Sequence, residues 1–182
     1  FSTLLAVFVG GGDDVFRQII FDIRLPRALA AWLVGCMLGL SGAALQGLLR
    51  NPLGEPGVLG VSASAVLCST GVIFYGLAGL SSLMIPVAAI MGALAATFFI
   101  SAISKHAANM IVLILAGVGL SSFAGAVMAL MMNLAPHPFT LFDMVNWTLG
   151  SVAYRSFEDI ILVLPFMLVG VVLLWRVRQG LS

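Results

Sequence analysis

Two arginines, Arg24 and Arg27, are the side chains of this sequence best suited to binding an anion, and Pro26 stands between them. A guanidinium group can hold a carboxylate or a phosphate through two parallel hydrogen bonds, which gives orientation as well as attraction. Pro26 suits the first turn of a helix, where a cation is unfavourable by about 0.3 to 1 kcal/mol. The sequence therefore predicts a compensating acid, which is Asp22, a lipid phosphate or an acidic patch on a docking protein.

The other residues with catalytic or metal-binding chemistry form no recognisable cluster. His106 and His137 lie beside helix breakers, and neither has a second histidine or a carboxylate at the spacing of a metal ligand set. Lys105 is the one lysine, and it lacks the glycine-rich frame of a phosphate-binding loop. We expect no enzymatic activity, no bound cofactor and no metal site.

The composition indicates a membrane protein. Hydrophobic residues make up 62% of the 182 residues, charged residues make up 8%, and the mean hydropathy is +1.18. The net charge of +1 gives no reason to expect a nucleic-acid partner. Ion-coupled carriers usually bury ionisable groups within their spans, whereas no Asp, Glu, Lys or Arg lies deep within a predicted crossing here. Energy for uphill transport would therefore have to come from another polypeptide.

Charges and helix breakers divide the chain into segments of bilayer length. A hydrocarbon core about 30 Å thick is crossed by about 20 helical residues. We predict an all-α fold, a polytopic transmembrane bundle of five full crossings preceded by the end of another, forming a single domain over 1–182. The full crossings are predicted at 28–49, 57–78, 83–104, 110–134 and 157–175, the partial one at 1–12, and an external connection with a short helix at 135–156.

Local sequence signals predict further features of the external connection and of the last helix. The external connection is predicted to contain a short surface helix at 143–149. Ser156, followed three residues later by Asp159, is typical of a capping box at the start of the last helix. Pro165 then predicts a kink within that helix.

Small residues recur every four positions along two of the predicted helices. Such stripes allow helix backbones to approach closely, and they are also compatible with helices that line a path and must shift. Gln46 is the most polar side chain within a predicted crossing. The stripes consist of Gly35, Gly39, Ala43 and Gly47 on the first full crossing, and of Gly117, Ser121, Gly125 and Ala129 on a later one.

Five sequence motifs, in this order, resemble the membrane permease subunit of ABC importers for iron-siderophores, haem and cobalamin. They are RLPR at 24–27, SGAALQG at 41–47, RNPLGEPGVLG at 50–60, LAGVGLS at 115–121 and W-x-x-G-S at 147–151. The third contains the residues typical of a family loop, Arg50, Asn51, Pro52, Glu55, Pro56 and Gly57, with Gly54 where the family usually has alanine. The resemblance covers nearly the whole chain.

The resemblance implies an architecture and a set of partners. A family subunit has about ten crossings, pairs with a second permease subunit, receives substrate from an external binding protein and is driven by two cytoplasmic ATPase subunits that bind ATP-Mg. This chain resembles the N-terminal half of such a subunit in the cell inner membrane. Residues that couple to the ATPase would then lie beyond Ser182, and transport would belong to the parent protein.

The same resemblance implies roles for particular residues. Arg24 and Arg27 would lie outside the cell, where the binding protein docks. Ala108, Asn109 and Met110 would lie at the inner gate, with the following helix lining the path. Charges alone give no orientation, because the predicted topology has four cations on each side.

Two other classes of protein remain open at this stage. An ion-coupled secondary transporter would need an ionisable relay outside this sequence. A membrane scaffold that transports nothing would share the small-residue packing. Iron-siderophore chelates are the substrate that the resemblance favours, with haem-like or cobalamin-like chelates as related cases.

Overall fold

The structure is a computed structural model that describes residues 14–52, 54–81, 83–106 and 110–177. All regular secondary structure in these ranges is helical, as predicted. A π-helical segment spans Ile19–Arg24, and 3-10 helices span Pro56–Leu59 and Leu77–Gly79. The α-helices are α1 (Asp14–Gln18), α2 (Leu25–Leu49), α3 (Val61–Phe74), α4 (Met84–His106), α5 (Met110–Asn133), α6 (Pro138–Leu149) and α7 (Phe157–Val177).

Four helical stretches among the described residues are long and apolar enough to cross a membrane. They are Val15–Leu49, Met84–Lys105, Ile111–Asn133 and Phe157–Val177. The crossing predicted at 57–78 contains α3, whose 14 residues rise only about 21 Å. The full count of five crossings therefore stays a prediction. The partial crossing predicted at 1–12 lies outside the described residues.

Pro26 lies in the first turn of α2, as the sequence predicts, but this turn is not the start of the helical structure, which already extends from Asp14 through the π-helical segment into α2. Proline has no backbone N–H to donate, so it interrupts the α-helical hydrogen-bond ladder. Just before it, the Leu25 N–H donates to the carbonyl oxygen of Ile20, five residues earlier. This π-type bond carries the helix past the proline. Arg24 and Arg27 therefore do not lie at a free helix N-terminus.

The chain forms two compact units, each with its own contacts. The first comprises the described parts of Phe1–Ala44 and Val152–Ser182, and the second comprises Leu45–Ser151. In the first unit, Met37 of α2 reaches α7, where its Cε would lie 3.7 Å from a Cβ at Gly170. The second unit contains the buried residues Leu45, Leu49, Ser69, Thr70, Ala96, Ile100, Ala124 and Met144.

Helices α3 and α4 pack closely at Gly92, a contact that the sequence stripes did not predict. A Cβ atom at Gly92 of α4 would lie 2.5 Å from the carbonyl oxygen of Ser64 and 2.8 Å from the Sγ of Cys68. Only glycine fits there without moving α3. The signal that could have revealed this contact is the four-residue spacing of Ala88, Gly92 and Ala96.

The two fully buried hydroxyl groups of the second unit are satisfied within α3. Ser69 Oγ donates to the carbonyl oxygen of Ala65 at 2.9 Å, and Thr70 Oγ1 donates to that of Val66 at 2.9 Å. A buried hydroxyl without a partner would be costly, and these bonds to the preceding turn remove that cost.

Helix α6 begins at Pro138, five residues earlier than predicted, with His137 in extended conformation before it. Proline at the first helical position needs no hydrogen-bond partner for its nitrogen, which explains the earlier start. Most of its residues are exposed, and Met144 is its one buried residue. Thr148 Oγ1 lies 3.8 Å from the Sδ of Met128 on α5.

The capping box predicted for the last helix is confirmed. The Asp159 carboxylate accepts a hydrogen bond from the Ser156 N–H at 3.0 Å, and the Asp159 N–H donates to Ser156 Oγ at 3.4 Å. The two residues thus satisfy each other's backbone donors at the start of α7. Pro165 lies inside this helix, as the sequence requires.

Candidate functional site

The arginine pair lies where the π-helical segment passes into α2. Arg24 is the last residue of the π-helical segment and is exposed, whereas Arg27, in the first turn of α2, is half-buried. Pro26 between them is fully buried. Residues three apart on a helix are neighbours on one face, so the two guanidinium groups lie on the same side of the helix.

The acid predicted to compensate this charge is not supplied by Asp22. No ion pair joins Asp22 to Arg24 or Arg27 among the described residues, and the Asp22 side chain is exposed. A lipid phosphate and an acidic docking partner remain as the two predicted sources of negative charge.

Arg27 instead contacts an aromatic ring from the segment that precedes α7. Its guanidinium carbon lies 5.5 Å from the ring centroid of Tyr154, within the range of a cation–π interaction. Tyr154 has a φ of 61° and is 91% exposed. Sequence reasoning missed this pair, because the two residues are far apart in sequence and no motif joins them.

A second candidate site lies in the other unit, at the C-terminal end of α2 and in the loop that follows it. The Asn51 N–H donates to the carbonyl oxygen of Gln46 at 3.2 Å, and the Arg50 N–H donates to that of Gly47 at 3.3 Å. These two bonds form a Schellman cap, with Arg50 as its left-handed residue at a φ of 46°. The Gln46 side chain donates to the carbonyl oxygen of Pro52 at 3.0 Å and so fastens the loop to the helix that it leaves.

Replacing Arg50 with glycine should stabilise this cap. Glycine adopts the left-handed conformation without steric penalty, so we expect Arg50→Gly to raise the free energy of unfolding by about 1 kcal/mol. Arg50→Ala is the matched control, since it removes the same side chain but keeps a Cβ atom. Thermal unfolding of the two purified variants in one detergent measures the difference, and equal midpoints would contradict the strain argument.

The loop then lies directly against α5. The 3-10 helix Pro56–Leu59 ends at Gly60, which has a φ of 73°. A Cβ atom at Gly117 would collide with the carbonyl oxygen of Val58 and would lie 2.8 Å from the Cα of Leu59. One turn further along α5, Ser121 Oγ donates to the carbonyl oxygen of Gly57 at 3.4 Å. Two motifs that are separate in sequence are therefore packed backbone to backbone.

The remaining small residues of the two stripes have more space. Beyond the backbone of the same helical turns, no described atom would lie within 4 Å of a Cβ at Gly35, Gly39 or Gly125. Ala43 is exposed and Gly47 is half-buried. Their roles in packing or in a path stay predictions.

The predicted inner gate is only partly within the described residues. Ala108 and Asn109 lie outside them, and Met110 begins α5 without a described side chain. Within the described ranges, no group of three or more His, Cys, Asp or Glu residues could hold a metal ion.

The described residues form a helical membrane protein, with four helical stretches long and apolar enough to cross a bilayer. The chain belongs to the FecCD transport family, whose model matches residues 1–182. The prediction of this family from the five motifs is confirmed.

Three curated relatives resemble the chain along most of its length. It is 40% identical to the ABC transporter permease protein YvrB of Bacillus subtilis, over 91% of this chain and 48% of the relative. It is 34% identical to the molybdate import system permease protein MolB of Haemophilus influenzae, over 91% and 50%. It is 34% identical to the hemin transport system permease protein HmuU of Yersinia pestis, over 87% and 49%. The chain spans about half the length of these relatives.

A solved structure has the same fold. It is described as an inward-facing conformation of a metal-chelate type ABC transporter, and it superimposes with a TM-score of 0.85 at 31% sequence identity. The match covers 93% of this chain and 53% of the solved chain.

Proposed function

We propose that this chain is part of the membrane permease of an ATP-driven importer that carries metal chelates, with iron-siderophores as the substrate class, across the cell inner membrane. The observation that carries the proposal is the match to the metal-chelate type transporter over 93% of the chain. The relatives named for hemin and molybdate import indicate that related permeases serve different cargoes.

The proposed partners follow from the same assignment. A second permease subunit would complete the path, two cytoplasmic ATPase subunits would bind ATP-Mg and supply energy, and an external binding protein would deliver the chelate. The chain itself would carry out no catalysis. The absence of Asp, Glu, Lys and Arg from 28–49, 84–104, 111–133 and 160–175 supports an external energy source over an ion-coupled relay.

The arginine pair and the loop that follows α2 have separate proposed roles. Arg24 and Arg27 would dock acidic residues of the binding protein, and 108–110 would form the inner gate. The loop that contains Arg50, Asn51, Pro52, Glu55, Pro56 and Gly57 would move as one body with α5, because backbone contact at Gly117 leaves no room for sliding. Gating would then tilt this body as a whole.

Uptake by a reconstituted complex tests the function. The full-length protein that contains this chain is placed in liposomes with its ATPase subunits and its binding protein, and a radioactive ferric siderophore is supplied on the binding-protein side. We expect accumulation that requires ATP and stops when the ATPase carries a Walker-lysine substitution.

Competition with haem, cobalamin and molybdate then compares cargoes in the same assay. Accumulation driven by a proton gradient in the absence of ATP would contradict the proposal and favour a secondary carrier. ATP-dependent uptake of molybdate but not of any chelate would keep the importer and overturn the substrate class.

A further inference from the structure

Tyr154 combines two features that are costly for a side chain with a structural role only. Its backbone φ of 61° lies in the left-handed region, which a residue with a bulky side chain rarely adopts. Its side chain is 91% exposed, so little burial offsets that conformation. The capping box at Ser156 and Asp159 fixes the backbone two residues later.

The ring contacts one of the two arginines and not the other. The Arg27 guanidinium carbon lies 5.5 Å from its centroid, and Arg27 is half-buried, whereas Arg24 is exposed and has no such contact among the described residues. An arginine side chain has many rotamers, and ordering them opposes binding. Because the ring of Tyr154 already restricts the guanidinium group, Arg27 loses less conformational entropy when it binds a partner.

We infer that Tyr154 is a positioning residue for the docking arginine, and that Arg27 and Tyr154 together form one anchor for a carboxylate-bearing surface of the external binding protein. The inference rests on the proposed docking function and deepens it. Tyrosine and arginine are the residue types enriched at the energetic centre of protein interfaces. The Arg27 fork binds the carboxylate, and the ring of Tyr154 limits the conformations that the guanidinium group can adopt.

A double-mutant cycle tests the anchor. Binding of the purified cognate binding protein to the full-length transporter in lipid nanodiscs is measured by surface plasmon resonance. We expect Tyr154→Leu to weaken binding about two- to fivefold and Tyr154→Phe to retain it, because the ring and not the hydroxyl faces the cation. In the Arg27→Gln background, Tyr154→Leu should have no further effect.

The matched cycle uses Arg24→Gln, in which Tyr154→Leu should retain its full effect. Tyr154→Gly separates positioning from structure, since glycine accepts the left-handed backbone freely. We expect this variant to bind as weakly as Tyr154→Leu while its thermal midpoint is no lower than that of the wild type. Wild-type binding by Tyr154→Gly would overturn the inference.

The remaining outcomes distinguish the inference from the docking proposal beneath it. If Arg27→Gln weakens binding and Tyr154→Leu does not, the anchor is wrong and docking stands. If neither variant changes binding, the docking proposal itself fails. If Tyr154→Leu only lowers thermal stability, and only in discs that contain phosphatidylglycerol, the ring serves the lipid headgroups and the inference is wrong.

Discussion

Replacing Gly117 with alanine should destabilise the protein by about 3 kcal/mol and abolish uptake. The added Cβ atom would collide with the backbone of Val58 and Leu59, and overpacking against atoms that cannot rotate away is among the costlier core substitutions. Relief would require the loop to lift from α5, which also breaks the bond from Ser121 to Gly57. Thermal unfolding in detergent and uptake in liposomes measure the two effects.

Gly119 provides the matched control on the same helix. Beyond the backbone of the same helical turns, no described atom would lie within 4 Å of a Cβ at Gly119, and glycine-to-alanine replacement in a helix normally stabilises by about 0.5 to 1 kcal/mol. The two substitutions are chemically identical and should have opposite signs. Equal stability of Gly117→Ala and Gly119→Ala would show that the loop does not lie on α5 as described.

Much of the helical architecture could be predicted because the positions of the helices depend on residues that are close together in sequence. Charge-free stretches located the helices α2, α4, α5 and α7, since each contains enough apolar residues to span a bilayer. The capping box at Ser156 and Asp159 was predictable for the same reason, because both partners lie within one helical turn.

The tertiary contacts of these helices join residues that are far apart in sequence. The stripe that contains Gly117 predicted close packing, yet nothing local indicated that its partner would be the loop 57–60 rather than another helix. Tyr154 lies 127 positions after Arg27, so their contact has no local signal. At Pro26 the local signal was present but misleading, because a π-type bond allows the helix to continue where proline usually marks a start.

Charge reversal at Arg24 and Arg27, the two arginines proposed to dock the binding protein, should strongly reduce transport. In the variant Arg24→Glu/Arg27→Glu, carboxylates would face the acidic surface that the two guanidinium groups are proposed to hold, and juxtaposed like charges cost several kcal/mol. We expect binding of the external protein and ATP-dependent uptake to fall by about tenfold or more. Thermal stability should fall by no more than about 1 kcal/mol, because neither arginine forms an ion pair within the described residues and the contact of Arg27 with the exposed ring of Tyr154 is worth about 0.5 to 1 kcal/mol.

Two comparisons make this expectation specific to docking. Arg17→Glu removes a cation from α1 and alters net charge in the same direction, but it leaves the pair intact, so uptake should stay near the wild-type level. Acidic-to-basic substitutions on the binding protein should partly restore uptake by the doubly reversed transporter, which a loss of folding could not explain. Normal uptake after reversal of both arginines would remove the docking role, and lipid phosphate would then remain as the predicted partner of their charge.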